Sequence, residues 1–328
     1  MKVQRSAWAL ALMLAVPSCA QVQGRVLNGF KLSNALVPQF EIMEGGAPRD
    51  GIPALTDPPR ESAESAGHWL QDEDRVMGVA LNDEAVAYPL RILGRHEAVN
   101  DLVGGTPLLV TYCPLCGTGV VFDPLIQGRR AIFGVSGLLY NSDVLLYDRK
   151  TESLFSQLLF RAITGPLQGT DLETLPALTT TWEEWKRLHP DTQVLSRIQP
   201  PHFIDYGTDP YAGYHKSRTT MFPVRGDDRT RDAKQLAYLI LDGSHKLLVA
   251  EETLELPAGD ERALYDVEGG IQLEYDPGAR RLLARSQSAK PPTVIPGYWF
   301  ALSAFHPDAR RLEAEDLQPT PLPASAGS

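Results

Sequence analysis

Two cysteines separated by two residues carry the clearest chemical signal in the sequence. Cys113 and Cys116 lie in the run YCPLCGT, and such a pair can be a dithiol redox centre, part of a metal site or a structural disulfide. The residues after Cys116 include two glycines and two adjacent valines, which favour a strand over a helix. The sequence therefore predicts a tight turn between two strands, not the helix start that lowers the pKa of a thioredoxin-type cysteine.

A turn of this type directs both sulfurs to one point, and it resembles the knuckles of rubredoxins and zinc ribbons. A structural zinc site has four ligands, but the sequence contains no second pair with this spacing. His96 lies between the first predicted hairpin and the strand that leads to Cys113, which makes it the best placed third ligand. Two thiolates with an imidazole form a soft, incomplete set, so we expect copper or zinc with an open coordination position.

A second polar cluster follows in the run FGVSGLLYNSDVLLYD, residues 133–148. One interpretation is turn chemistry, in which Asn and Ser side chains bond their own backbone. The other is a wall of the metal pocket, in which Tyr140 or Asp148 acts as a catalytic proton donor or orients the ligands. The further residues expected to contact a substrate or to support the ligands are Asn100, Tyr112, Asn141, Ser142 and Gln157.

Short strands separated by turns surround these residues. Val76–Leu81 and Ala85–Leu90 flank a short polar turn and predict a hairpin. One clear helix begins at Thr181, which has the capping-box spacing to Glu184, and ends before Pro190. We therefore expect a β-dominated α+β fold, built of strands and hairpins with a few short helices.

The chain also contains a weak internal repeat. Residues 101–112 resemble residues 266–275, but the second segment leads into a plain turn where the first leads to the cysteines. Two related β-rich halves are one explanation, and a chance similarity of Gly-Gly turns is the other.

The expected organisation is a lipoprotein-type signal peptide 1–19, an extended lead-in 20–60, a β-rich half with the cysteine site 61–170, a helix and irregular connecting region 171–230, a second β-rich half 231–316 and a disordered tail 317–328.

The cysteine near the N-terminus, Cys19, predicts a different role from that of Cys113 and Cys116. Two basic residues precede the apolar stretch 7–16, which is too short to span a membrane and is typical of a secretory signal. Cys19 then follows in a context that resembles the bacterial lipobox, although Pro17 departs from that pattern and cleavage after Ala20 is the alternative. We expect an exported protein of the periplasm or cell envelope, anchored in the membrane through a lipid on Cys19.

Composition excludes several classes of protein. With 31 Lys and Arg against 41 Asp and Glu, the net charge of −10 argues against nucleic acid as a partner. The sequence has no GxSxG elbow, no phosphate loop and no GxGxxG fingerprint. Three hypotheses remain: a metal-dependent oxidoreductase, a thiol–disulfide protein that uses the same cysteines without metal, and a non-enzymatic surface binding module with a structural cysteine pair. The small-molecule or redox partner stays open.

Several short segments in residues 44–305 also follow one family pattern. They are residues 51–58, 87–93, 96–97, 100–101, 112–118, 133–142, 181–182 and 189–190. Together they resemble a bacterial and archaeal family of unknown function whose members are often lipoproteins. The resemblance implies that His96, Cys113, Cys116 and the run 140–142 are site positions, because they are motif positions. Arg95 stands where the family usually has Trp, which implies a more polar pocket.

Overall fold

The computed structural model describes residues 24–199 and 204–320, and it is β-dominated, with 40% strand and 14% helix. The helices are α1 Ala63–Ala66, α2 Leu90–His96, α3 Trp182–Leu188, α4 Ala212–Lys216 and α5 Trp299–Phe305. The strands are β1 Val26–Leu27, β2 Phe30–Lys31, β3 Ile42–Glu44, β4 Leu55–Thr56, β5 Arg60–Ser62, β6 Arg75–Leu81, β7 Glu84–Pro89, β8 Ala98–Val103, β9 Thr106–Cys113, β10 Thr118–Phe122, β11 Leu125–Ile126, β12 Arg129–Arg130, β13 Phe133–Tyr140, β14 Asp143–Asp148, β15 Leu154–Ser156, β16 Arg161–Ala162, β17 Leu178–Thr181, β18 Gln193–Leu195, β19 Leu236–Asp242, β20 His245–Ala250, β21 Ala263–Val267, β22 Ile271–Asp276, β23 Arg281–Arg285, β24 Thr293–Tyr298, β25 Arg310–Leu312 and β26 Pro319–Thr320.

Five sheets of four or five strands are arranged as a five-bladed β-propeller, which is more specific than the expected α+β fold. In hydrogen-bonded order, the blades are blade 1 (β17-β6-β7-β18-β5), blade 2 (β10-β9-β8-β4), blade 3 (β16-β15-β14-β13-β3), blade 4 (β24-β19-β20-β25) and blade 5 (β23-β22-β21-β26). The largest buried apolar cluster joins blades 2, 3 and 4 and includes Cys113 and Cys116. The cysteine site therefore lies within the main core.

The hairpin and the helix predicted from the sequence both form. β6 and β7 pair antiparallel around Asn82 and Asp83, which both adopt the positive φ that a two-residue hairpin turn needs. Thr181 caps α3, with its hydroxyl oxygen accepting from the backbone N–H of Glu184 at 3.4 Å. The buried face of α3 carries Trp185, which packs on blade 1 and anchors the helix there.

Blade 4 repeats the strand pairing of blade 1. β6 and β19 have seven residues each, β7 and β20 have six each, and two-residue turns join both pairs. β17 and β24 add to them in the same register, with Thr181 opposite Arg75 and Tyr298 opposite Leu236. A helix, a His-Pro dipeptide and a short strand parallel to β7 or β20 follow in both cases. Blade 5 likewise repeats the antiparallel meander of blade 2, so residues 101–112 and 266–275 fall in corresponding hairpins.

Some segments take a larger part in the fold than expected. The connecting region 171–230 supplies β17, α3 and β18 to blade 1, because these residues pair with strands far away in the sequence. Within the expected disordered tail, β26 pairs with β21. The signal peptide, Cys19 and residues 321–328 lie outside the described residues. Within the described ranges, every helix is too short or too polar to cross a membrane.

Candidate metal centre

The two cysteines lie on a turn between β9 and β10, as the sequence predicts. Cys113 ends β9 and pairs with Thr118, the first residue of β10, so that Cys116 lies within the turn. Gly117 has a φ of +64°, a conformation that glycine adopts without steric cost. The backbone N–H of Tyr298 donates to the carbonyl of Cys116 at 2.8 Å, so blade 4 supports the turn from outside.

The carboxylate of Asp143 lies close to the sulfurs of both cysteines. The Sγ atoms of Cys113 and Cys116 and a carboxylate oxygen of Asp143 all lie within 4.8 Å of one another, and the three side chains are buried. The cysteines are not joined by a disulfide. Asp143 is brought there by the turn Asn141–Ser142, where both residues have positive φ. The carbonyl oxygen of Ser142 also faces both thiols, 3.7 Å from Cys113 Sγ and 3.4 Å from Cys116 Sγ.

Burial makes these groups difficult to ionise without a cation. It raises the pKa of the Cys113 thiol, raises that of Cys116 well above its usual value, and raises the pKa of Asp143 to about 7. Oδ2 of Asp143 accepts from the backbone N–H of Leu158 at 3.1 Å, while its buried Oδ1 has no hydrogen-bond partner in the described residues. Glu97 is a further buried acid, whose pKa is raised to about 8 by burial and by the charge of Asp143. Burial therefore favours the neutral forms of these groups, and their ionised forms would need a compensating positive charge.

His96, the expected third ligand, lies outside this group in the structure. Its Nδ1 lies 2.6 Å from the carbonyl oxygen of Pro53, and its Nε2 lies 2.6 Å from the hydroxyl of Tyr206. Because a carbonyl can only accept, Nδ1 carries a proton, and in the neutral ring Nε2 then accepts from the hydroxyl of Tyr206. Both ring nitrogens are therefore engaged at the end of α2, and the structure brings Asp143 to the sulfurs instead.

The two residues expected as proton donors are also outside this group. Asp148 ends β14, at the opposite end from Asp143, and its carboxylate binds the guanidinium of Arg129 at 2.8 Å and a neighbouring threonine. Tyr140 packs edge-on against Phe305, with 5.4 Å between ring centroids. In this structure the carboxylate of Asp148 forms an ion pair, and the ring of Tyr140 forms an aromatic contact.

Two of the predicted supporting residues brace the strands around the cysteines. The side-chain amide of Gln157 donates to the hydroxyl of Thr111 at 2.8 Å, and its oxygen accepts from that of Thr118 at 2.7 Å. Gln157 thus connects blade 3 to both strands of the cysteine hairpin. Asn100 joins blades 2 and 3, since its side chain donates to the carbonyl of Phe133 at 2.9 Å and accepts from the same residue's N–H at 2.7 Å.

The side chains of Asn141 and Ser142 hold a covering segment in place. Asn141 exchanges two hydrogen bonds of 3.1 Å with the backbone of Arg225. The hydroxyl of Ser142 donates to the carbonyl of Phe222 at 3.0 Å. These contacts fasten residues 222–225 over the turn that carries Asp143.

A cavity of about 600 Å³ opens on the outer side of the cysteine turn. Pro114 and Gly117 of the turn line it together with Tyr112, which was predicted to contact a substrate. The sulfurs lie beneath this wall, because Cys113 is 1% exposed and Cys116 0% exposed. The cavity and the cysteine–carboxylate group are therefore neighbouring but separate spaces.

Asp143 and Glu97 are the site residues that sequence reasoning missed. Both lie inside segments that were singled out, Asp143 in the polar run 133–148 and Glu97 in the motif segment 96–97, but neither was selected as a site residue. Membership of these segments was thus the available signal. It was not decisive, because strand direction and burial depend on contacts with other blades.

Comparisons with known proteins agree with the motif pattern described above. A search of curated proteins and a search of solved structures gave no match. A family profile does match, and it covers residues 49–290, which include both cysteines, Asp143 and most of the cavity wall. The chain therefore belongs to the family of proteins of unknown function DUF3179, as its motifs predict.

Proposed function

We propose that this protein binds one metal ion through Cys113, Cys116 and Asp143, with zinc as the first candidate and copper as the second. The observation that carries the proposal is the convergence of three buried ligand atoms within 4.8 Å. The unpartnered Oδ1 of Asp143 supports it, because a buried carboxylate oxygen without a hydrogen bond is unfavourable unless a cation is nearby.

The ligand types favour zinc. Zinc accepts both thiolate and carboxylate ligands, whereas Cu(I) prefers soft sulfur ligands alone. Three protein ligands leave one position for water or a small molecule, as in catalytic zinc sites. When bound, the ion supplies Lewis-acid chemistry as zinc or electron transfer as copper, so an oxidoreductase activity belongs to the copper alternative. The residues of the chain hold the ion, and the burial of all three ligand side chains excludes bulk water.

The thiol–disulfide alternative has weaker support. A reactive exchange cysteine has a lowered pKa and some exposure. Here burial raises the pKa of both Cys113 and Cys116, and neither sulfur is open to a protein partner. A metal ion reverses this penalty, because it stabilises the thiolate form of each ligand.

Elemental analysis of the purified full chain tests the metal. We expect about one equivalent of zinc or copper, as for a single site with three protein ligands. Cys113→Ser and Asp143→Asn each remove a ligand, and we expect both to lose most of the ion. Asp242→Asn is the matched control, because Asp242 is also buried with an unpartnered Oδ1 but lies outside the cysteine group. Metal-free wild type, or full occupancy in Asp143→Asn, would overturn the proposal.

We also propose that the protein is exported and anchored through a lipid on Cys19, which lies outside the described residues. The support is the apolar stretch 7–16 followed by the cysteine. Cell fractionation tests it: we expect the wild type in the membrane fraction and Cys19→Ser in the soluble fraction. Release of both proteins alike from the membrane fraction would contradict the anchor.

We also propose that the chain consists of two related β-rich halves. The matching register of blades 1 and 4 supports a common origin, and so do the corresponding hairpins of blades 2 and 5. Only the first half carries the cysteines, since Asp276–Ala279 occupies the corresponding turn of the second. A crystal structure in which blades 1 and 4 do not superpose over these strands would argue against it.

A further inference from the structure

We propose that the cavity beside the cysteine turn binds a small organic anion, and that Arg75 and Arg280 hold its carboxylate or phosphate group. This ligand site goes beyond the metal centre, because none of its binding groups is a metal ligand. Its walls come from several blades, and its volume of about 600 Å³ lies within the range of small-molecule sites.

The charged side chains that line the cavity are not all paired with a group of opposite charge. Asp74 pairs with Arg91, and Asp209 faces the Nε2 of His215 at 3.6 Å. Glu251 accepts from the hydroxyl of a buried tyrosine, Tyr238, at 3.1 Å. Two guanidinium groups of the cavity wall form no ion pair within residues 24–199 and 204–320, although the charge of Glu251 acts on one of them from a greater distance.

Arg75 and Arg280 are those two groups. The Nε of Arg75 is buried and has no hydrogen-bond partner in the described part of the chain. Burial lowers the pKa of Arg75 and the nearby charge of Arg280 lowers it further, while Glu251 and two tyrosines oppose this with smaller effects, so a repulsion between the two guanidiniums remains. A planar anion with two oxygens relieves this repulsion, since guanidinium forms paired hydrogen bonds with carboxylate and phosphate.

The remaining wall is suited to an apolar ligand body. Tyr112, Tyr211 and Tyr298 line the cavity, and Tyr298 is fixed by a hydrogen bond of 2.9 Å between its hydroxyl and the Nδ1 of His215. Leu236, the residue of blade 4 that corresponds to Arg75 in blade 1, lines it as well. Corresponding positions of the two halves thus supply a charged group on one side and an apolar group on the other. This polarity favours a ring-sized molecule with one anionic end.

Calorimetric titration of the full chain at constant ionic strength tests the site. The probes are benzoate, phenyl phosphate and the neutral benzyl alcohol. We expect both anions to bind at one site and benzyl alcohol to bind at least about tenfold more weakly, because it cannot pair with guanidinium. The stronger of the two anions identifies which oxyanion class the site prefers.

Variants locate the binding groups. We expect Arg75→Gln and Arg280→Gln each to weaken anion binding by at least about tenfold, and Arg75→Lys to weaken it less. Arg280 is exposed, so its variant keeps the test valid even if Arg75→Gln does not fold. Arg197→Gln is the control, because it removes an exposed positive charge outside this cavity and leaves affinity unchanged.

Several results would overturn this inference. They are no binding of either anion up to about 10 mM, an affinity for benzyl alcohol equal to that for the anions, and an unchanged affinity for the anions in Arg280→Gln.

The anion site can be tested separately from the metal proposal, because these variants do not alter the metal ligands. Anion binding that persists in metal-free protein separates the two. Loss of metal in Asp143→Asn with intact anion binding would likewise show that the two sites are independent.

Discussion

At the scale of single residues, Asp143 and Asp148 show how position on a strand decides chemistry. They are the first and last residues of β14. Side chains alternate between the two faces of a strand, so two residues five positions apart point to opposite faces. Asp143 therefore reaches the sulfurs, whereas Asp148 binds Arg129 elsewhere. The sequence places both aspartates near the predicted turn but does not say which face of β14 meets the cysteines.

His306 supplies a prediction at the same scale. It follows α5, is buried against Phe160 and near the Lys246–Asp308 ion pair, and burial lowers its pKa to about 4, with Lys246 adding to the effect. Between its ordinary value of 6.5 and about 4, the unfolded chain binds a proton that the folded chain does not. The free energy of unfolding therefore falls as the pH falls through this window, by up to about 3 kcal/mol.

We expect His306→Gln to lose most of this pH dependence. Urea unfolding of both proteins at neutral pH and at about pH 4.5 measures it. His189→Gln is the matched control, since His189 follows α3 in the corresponding place but is only partly buried. Equal pH dependence in wild type and His306→Gln would show that other groups cause the loss of stability.

At the scale of elements, the packing of α3 on blade 1 requires a glycine, which has no side chain, at position 78. A Cβ placed on Gly78 of β6 would lie 2.2 Å from the ring of Trp185, which is buried and cannot move freely. A Cβ on Gly119 of β10 would meet only the terminal methyl of Met77, which can rotate away. Two glycines in neighbouring blades therefore differ in what an added methyl group displaces.

We expect Gly78→Ala to lower the free energy of unfolding by about 1–3 kcal/mol, because it overpacks the contact with Trp185. Gly119→Ala should cost clearly less. Urea unfolding monitored by tryptophan fluorescence compares the two variants. A cost for Gly119→Ala equal to that for Gly78→Ala would contradict this account of the packing.

Local elements were more predictable from the sequence than their assembly. The β6–β7 hairpin and the capped helix α3 follow from alternation and capping residues within a few positions of each other. The propeller was not predicted, because its blades combine strands such as β17 and β6 that lie far apart in the sequence. The same limit explains the site: both cysteines were found from their spacing, but Asp143 and not His96 joins them through contacts between blades.

At the scale of the whole molecule, blade 1 ties the chain together. Its central pair β6–β7 comes before β8–β10 of blade 2 and β13–β16 of blade 3 in the sequence, and its flanking strands β17 and β18 come after them. Blades 2 and 3 therefore cannot separate from the rest unless blade 1 also loses contacts. The shared core of blades 2, 3 and 4 couples these three blades in addition.

This arrangement predicts one cooperative unfolding transition. Trp182 and Trp185 report on blade 1, Trp299 reports on blade 4, and far-ultraviolet circular dichroism reports on all strands. We expect the urea curves from fluorescence and circular dichroism to coincide. Separate midpoints would show that the blades unfold independently.

The closed position of the sulfurs decides when a metal ion can enter. Cys113 and Cys116 are buried, and residues 222–225 are held on the turn that leads to Asp143, so an ion in solution would reach the sulfurs only when part of the surrounding structure opens. Exchange is therefore limited by the rate of local unfolding, and a chelator should remove the ion slowly from the native protein. For the proposed metal site, loading would then take place as the chain folds, and the ions available at that moment would select which metal is bound.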